Sequence, residues 1–118
     1  MNFSNEKPIY LQLADRLADE ILADKYGDDE RIPSVREYAV MLEVNVNTAV
    51  KAYDELSRAN IIYIKRGQGY YVTPGAKTQI MENRREEFMK ERLPELFRQM
   101  RLLGISLDDV KGKYDEMK

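Results

Sequence analysis

Ile9, Leu13, Leu17 and Ile21 recur at every fourth position, and Tyr10, Ala14 and Leu22 widen that stripe. The period puts an apolar face on a helix of about residues 8–25, with Pro8 in the first turn, where its missing N–H costs nothing. Tyr26-Gly27-Asp28-Asp29 then reads as a turn. Ser34-Val35-Arg36-Glu37 has the form of a capping box. It predicts a short helix to about Leu42 that buries Val35, Tyr38, Ala39 and Leu42. Glu43-Val44-Asn45 leaves room only for a tight turn, and Asn45 is a good N-cap for a third helix. That helix is expected to carry Ala49, Val50, Tyr53 and Leu56 inward and to close at Asn60, which tolerates the left-handed conformation. Ile61–Ile64 and Tyr70–Thr73 are β-rich runs around Arg66-Gly67-Gln68-Gly69, so they predict a hairpin. Thr73-Pro74-Gly75-Ala76 marks a break.

The apolar pattern resumes beyond the break. Met89, Leu93, Leu96, Met100 and Leu103 fall at spacings of four, three, four and three, the seam of a short coiled coil. Pro94 lies inside it and predicts a kink or a restart. Gly104 ends the helix, and Ser106 caps a last one with Leu107, Val110, Tyr114 and Met117 on one side. The fold expected is mainly α with a small β-hairpin: a winged helix-turn-helix at 1–76, then a short two-helix tail at 77–118.

Composition narrows the chemistry. With 43% hydrophobic and 34% charged residues among 118, the chain is a globular one. It has no cysteine and no histidine. This removes disulfides, the usual zinc ligands, the commonest general base and every Ser-His or Cys-His pair. No catalytic residue, metal or cofactor is expected. No apolar run approaches the ~20 residues of a membrane span, and MNFSNEKPIY does not read as a signal peptide, so the expected compartment is the cytoplasm.

Net charge is −2, which argues weakly against nucleic acid, a class whose members are often basic. Its distribution qualifies this. Residues 15–30 hold seven acids (Asp15, Asp19, Glu20, Asp24, Asp28, Asp29, Glu30) against Arg16 and Lys25. Residues 31–69 hold six bases (Arg31, Arg36, Lys51, Arg58, Lys65, Arg66) against Glu37, Glu43, Asp54 and Glu55. An acidic chain can still turn a locally positive face to DNA.

Three helices and a hairpin, with a tight turn before the third helix, suit a duplex. The first turn of a recognition helix meets base edges in the major groove. Here that turn is Asn45-Val46-Asn47-Thr48, with Lys51 one turn on. Asparagine can read adenine and threonine can bond a base or a phosphate. A basic tip, Lys65-Arg66-Gly67, can reach the minor groove or the backbone. Each has a plainer reading. Asn45 can serve only as a cap, Asn47, Thr48 and Lys51 can be solvated, and Gly67 and Gly69 can answer only to turn geometry. Tyr10, Tyr38, Tyr53 and Tyr71 sit at apolar spacing and are expected in the core, leaving Tyr70 as the exposed one. Arg84-Arg85-Glu86-Glu87 reads as a solvated helix face.

Five ordered segments carry a resemblance. They are Pro8-Ile9-Tyr10-Leu11-Gln12-Leu13, Arg31-Ile32-Pro33-Ser34-Val35-Arg36-Glu37-Tyr38-Ala39, Val44-Asn45-Val46-Asn47-Thr48, Lys51-Ala52-Tyr53-Asp54-Glu55-Leu56 and Arg66-Gly67-Gln68-Gly69-Tyr70-Tyr71-Val72. Together they resemble the GntR superfamily of bacterial transcription regulators, and the short tail is similar to that of its YtrA subfamily. The resemblance implies a homodimer on a palindromic double-stranded DNA operator, and repression of an operon for an ABC-type transporter. It implies DNA contacts from Arg36, with Ser34 beside it, from Asn45, Asn47 and Thr48, and from Arg66 and Gly67. The plainer role for Arg36 is an ion pair with Glu37 or Asp54. The chain departs from many relatives at Val46, where a basic residue or proline is usual, and at Asn60, where most have glycine.

Two short helices cannot wall a sizeable ligand pocket, so their stripes need a partner, and a second copy is the simplest. Dimer contacts are expected from Met89, Leu93, Leu96, Phe97, Met100, Leu103, Leu107, Val110 and Tyr114. No effector can be read from the sequence, though the methionine-rich seam leaves room for a small apolar one. The competing function is a winged helix that binds a partner protein instead of DNA.

Overall fold

The computed structural model describes residues 7–118. The part of the N-terminal export reading that falls on residues 1–6 lies outside the described residues. The chain forms two compact units, Met1–Met81 and Glu82–Lys118.

In the first unit, helix α1 (Ile9–Leu22) starts with the Leu11 and Gln12 amides donating to the Pro8 carbonyl. Leu13, Ala14, Leu17, Ala18 and Ile21 are buried, whereas Ile9 overhangs the core and is exposed. The helix ends short of the expected residue 25, because Asp24 turns left-handed at φ 62°. Helix α2 (Val35–Leu42) has its capping box in full: the Glu37 amide donates to Ser34 Oγ (3.1 Å) and the Ser34 amide to Glu37 Oε1 (3.2 Å). A left-handed Glu43 closes it, and helix α3 (Val46–Arg58) follows, capped by Asn45. Asn60 is left-handed too, at φ 61°.

These bonds hold the Glu37 carboxyl below its usual range, the Ser34 backbone N–H first and its hydroxyl second. A depressed folded-state value means the box stabilises the fold above the ordinary glutamate pKa and weakens as pH falls through the depressed one. Ser34→Ala is expected to cost about 1 kcal/mol at neutral pH. Its deficit should shrink on acidification, as urea titrations at pH 7 and near pH 3 would show.

Strands β1 (Ile62–Lys65) and β2 (Gly69–Val72) pair antiparallel, with Ile62 opposite Val72 and Tyr63 opposite Tyr71. The segment before α2 adds a third short edge. The Ile32 amide donates to the Tyr70 carbonyl and the Val72 amide to the Glu30 carbonyl, both at 3.0 Å. Buried Val72 fixes the pleat, so Tyr70 shares its face and Tyr71 takes the other. This reverses the expected tyrosine assignment. Tyr70 packs edge-on against Tyr53 (centroids 5.0 Å apart, planes at 88°), and Tyr71 stacks on Tyr63 outside the core. Val50, expected inside, is exposed at 39%, and Ala52 is buried in its stead.

Helix α4 (Ala76–Glu87) carries the chain from one unit to the other. Its first turns belong to the winged unit: Ala76 and Ile80 join that core, and Lys77 pairs with Asp24 at 2.8 Å.

In the second unit a π turn, Phe88–Arg92, leads into α5 (Leu93–Leu103), and α6 (Leu107–Glu116) has a second capping box, Ser106 with Asp109. Pro94 has no N–H for the Lys90 carbonyl, and its ring crowds that carbonyl, so the turn before it widens. The wider turn interrupts the heptad spacing between Met89 and Leu93. Met100 is covered within the single chain, while Leu93, Phe97 and Val110 are half-buried. Met89, Leu96, Leu103, Leu107 and Tyr114 are exposed.

Candidate nucleic-acid interface

The candidate residues fall in three groups on consecutive elements. At the start of α2, Arg36 is exposed and makes no ion pair among the described residues. Its expected competitor, Glu37, is held by Ser34. The Ser34 oxygen accepts the Glu37 amide, which leaves its O–H as the donor it can offer.

At the start of α3, Asn45 Oδ1 accepts the Asn47 amide at 2.8 Å. Asn45 is therefore a cap, as its plainer reading had it, while its side-chain NH2 is exposed with the rest of the residue. Asn47 and Lys51 are exposed one turn apart on the same face, and Thr48 is half-buried.

At the hairpin tip, Lys65 folds back, its Nζ 4.4 Å from the centre of the Tyr71 ring. Tyr63 stacks on that ring and donates its hydroxyl to Asp29 at 2.6 Å. The bond to Asp29 pushes the Tyr63 pKa up to about 12, so the phenol stays a donor at any physiological pH. Arg66, exposed like Lys65, has no ring contact of this kind among the described residues. Gly67 has φ +77° with open space around it, so backbone geometry is what it answers to. Gly69 has a second reason. At φ +110°, a Cβ there would stand 3.2 Å from Arg31 Nε. The Arg31 side chain lies beside the turn end of β2, a cation to which the sequence pattern gave no role. It is placed there because the segment around it, Glu30 to Ile32, pairs with β2.

The acids of 15–30 are largely used inside the fold. Asp24 holds Lys77, Asp28 accepts the Gly75 amide, Asp29 accepts the Tyr63 hydroxyl and Glu30 accepts the Gly27 amide. Glu20 accepts the Tyr38 hydroxyl at 2.9 Å and lies within ion-pair reach of Arg16 and Lys25. Of these five, Asp24 and Glu20 have cations beside them, while Asp28, Asp29 and Glu30 accept from neutral donors and keep their full charge.

Residues 9–72 match the family described as bacterial regulatory proteins, gntR family. The chain belongs to the GntR family. It is a winged-helix member of this family of DNA-binding transcription regulators, which are not enzymes. It is 36% identical over 87% of its length to the HTH-type transcriptional repressor YtrA of Bacillus subtilis, of which it covers 78%. This supports the YtrA-like assignment. A crystal structure of a GntR-family transcriptional regulator from Bacteroides thetaiotaomicron superposes with a TM-score of 0.79 at 46% identity, covering 93% of this chain and 96% of that one. The DNA-binding domain of AraR, solved in complex with operator ORR3, matches 62% of this chain and 88% of its own, with a TM-score of 0.56 at 25% identity. Among the described residues, no helix is long and apolar enough to cross a membrane.

Proposed function

We propose that this GntR-family chain is a cytoplasmic repressor that binds a palindromic operator as a homodimer. The reading is carried by the set of exposed, uncommitted polar groups on α2, α3 and the hairpin tip: Arg36, Asn47, Lys51 and Arg66. The operator-bound AraR domain supports a duplex as the partner, and the repressor YtrA supports the sign of regulation. That the target is a transporter operon rests on the subfamily resemblance alone.

Dimerisation through the tail is supported by its uncovered apolar side chains. Leu102 and Leu103 are each 72% exposed and Leu107 is 66% exposed in a single chain. So much apolar surface on 37 residues asks for a partner. Two copies related by a two-fold axis would set their α3 helices about 34 Å apart, one turn of DNA.

Selection of bound sequences from a random duplex pool tests the reading, with an inverted repeat as the expected product. Arg36→Ala and Arg66→Ala should each weaken binding on the order of tenfold, and each should reduce the salt slope by about 1 where the arginine meets a phosphate. A chain that enriches no sequence, and whose affinity both substitutions leave untouched, would instead be a protein-binding winged helix.

A further inference from the structure

The exposed face of α3 is not wholly polar. Val46 is 36% exposed and Val50 39% exposed, and neither belongs to the buried core. They stand four residues apart, so their side chains line up as one ridge beside the Asn47–Lys51 row. Both lie in the first two turns of the helix, the part that meets base edges when such a helix enters the major groove. Valine is a poor choice for a solvated helix position, because branching at Cβ costs rotamer freedom. The same branching holds its two methyls in one orientation, so little further freedom is lost on contact.

The major groove has one apolar feature a methyl ridge can match, the C5-methyl of thymine. It lies on the same base-pair edge as the adenine N6 and N7 that an asparagine reads. Asn47 next to Val46 therefore offers the two halves of an A·T pair their complementary groups.

We infer that Val46 and Val50 are specificity residues that read thymine methyl groups, and that each half-site carries A·T pairs under the first two turns of α3. This rests on the operator-binding reading above. The test keeps the two separable. The probe is the duplex enriched by the full-length wild-type chain, remade with deoxyuridine for each half-site thymine in turn. Deoxyuridine keeps the pairing edge and removes only the methyl. Binding should weaken about fourfold for each contacted methyl removed, the scale of one buried methyl group. In Val46→Ala/Val50→Ala, which keeps a helix-favouring residue at both sites, the same replacement should change affinity by less than about 1.5-fold. Equal losses in the wild type and the double variant would mean that the methyl acts through DNA shape, and no loss in either that nothing touches it. Either result overturns the inference while leaving operator binding intact. Failure of the pool to enrich any sequence overturns operator binding itself.

Discussion

A chain ending at Met81 is expected to lose operator affinity by about 10²–10⁴-fold while keeping its fold. The cut follows the structural boundary. Ala76 and Ile80 are buried in the winged unit, so a cut at Ala76 would remove part of that unit's core. The cut also preserves the Lys77–Asp24 pair and the Gln79 side-chain bond to the Ala59 carbonyl. What goes is the segment with Leu102, Leu103 and Leu107 uncovered. If that segment joins two copies, its loss turns one bivalent encounter into two independent half-site encounters, and the avidity factor disappears. Sedimentation should show a monomer, and far-UV circular dichroism should show the remaining helices intact. A truncated chain that still sediments as a dimer, or binds the operator unchanged, would remove the tail from the mechanism.

Local chemistry is where the sequence spoke most clearly. The Ser34 box, the Ser106 and Asn45 caps and the left-handed Asn60 each depend on residues within a few positions of one another, and each is present. The phase of the hairpin was less legible. Two adjacent tyrosines look alike to a hydrophobicity count, and only Val72, buried at the far end, decides which of them faces in. Val50 was misread for a related reason. The 3.6-residue period places it near the edge of the apolar arc, and the packing of α1 and α2 on α3 covers Ala49, Ala52 and Tyr53 but stops short of it. Pro94 announced a disturbance without saying which, since kink, restart and π turn all relieve the same missing N–H.

The site divides in the same way. Arg36, Asn47 and Arg66 could be expected at exposed positions because their places within helices and turns are local facts. The roles of Arg31 and the acidic stretch were hidden because they depend on distant partners. Lys77 and Asp24 are 53 positions apart, and Tyr63 and Asp29 are 34 apart. Nothing in spacing announces such pairs.

Tyr53→Ala should be the most damaging single substitution in the winged unit, for stability and for DNA binding together. Tyr53 is fully buried, and it is the side chain on which the three site-bearing elements meet. Its hydroxyl donates to the Pro33 carbonyl at 2.6 Å, just before the Ser34 cap of α2. Its ring lies 5.9 Å from that of Tyr38 in α2 and 5.0 Å from that of Tyr70 in β2. Burial pushes its pKa above the ordinary phenol value, so it stays a donor throughout the working pH range. Truncating a buried aromatic to alanine costs about 3–5 kcal/mol, a large share of the 5–15 kcal/mol that holds a typical domain together. Tyr53→Phe keeps the ring and loses only the bond to Pro33, so it should cost about 1 kcal/mol and lower the melting temperature by about 4–8 °C. The pair separates packing from hydrogen bonding. Operator affinity measured below both melting points should be near normal in the phenylalanine variant, because the aromatic contacts still fix α2 against the hairpin. If the alanine variant melted within a few degrees of the wild type, the three elements would be held in place by something other than Tyr53.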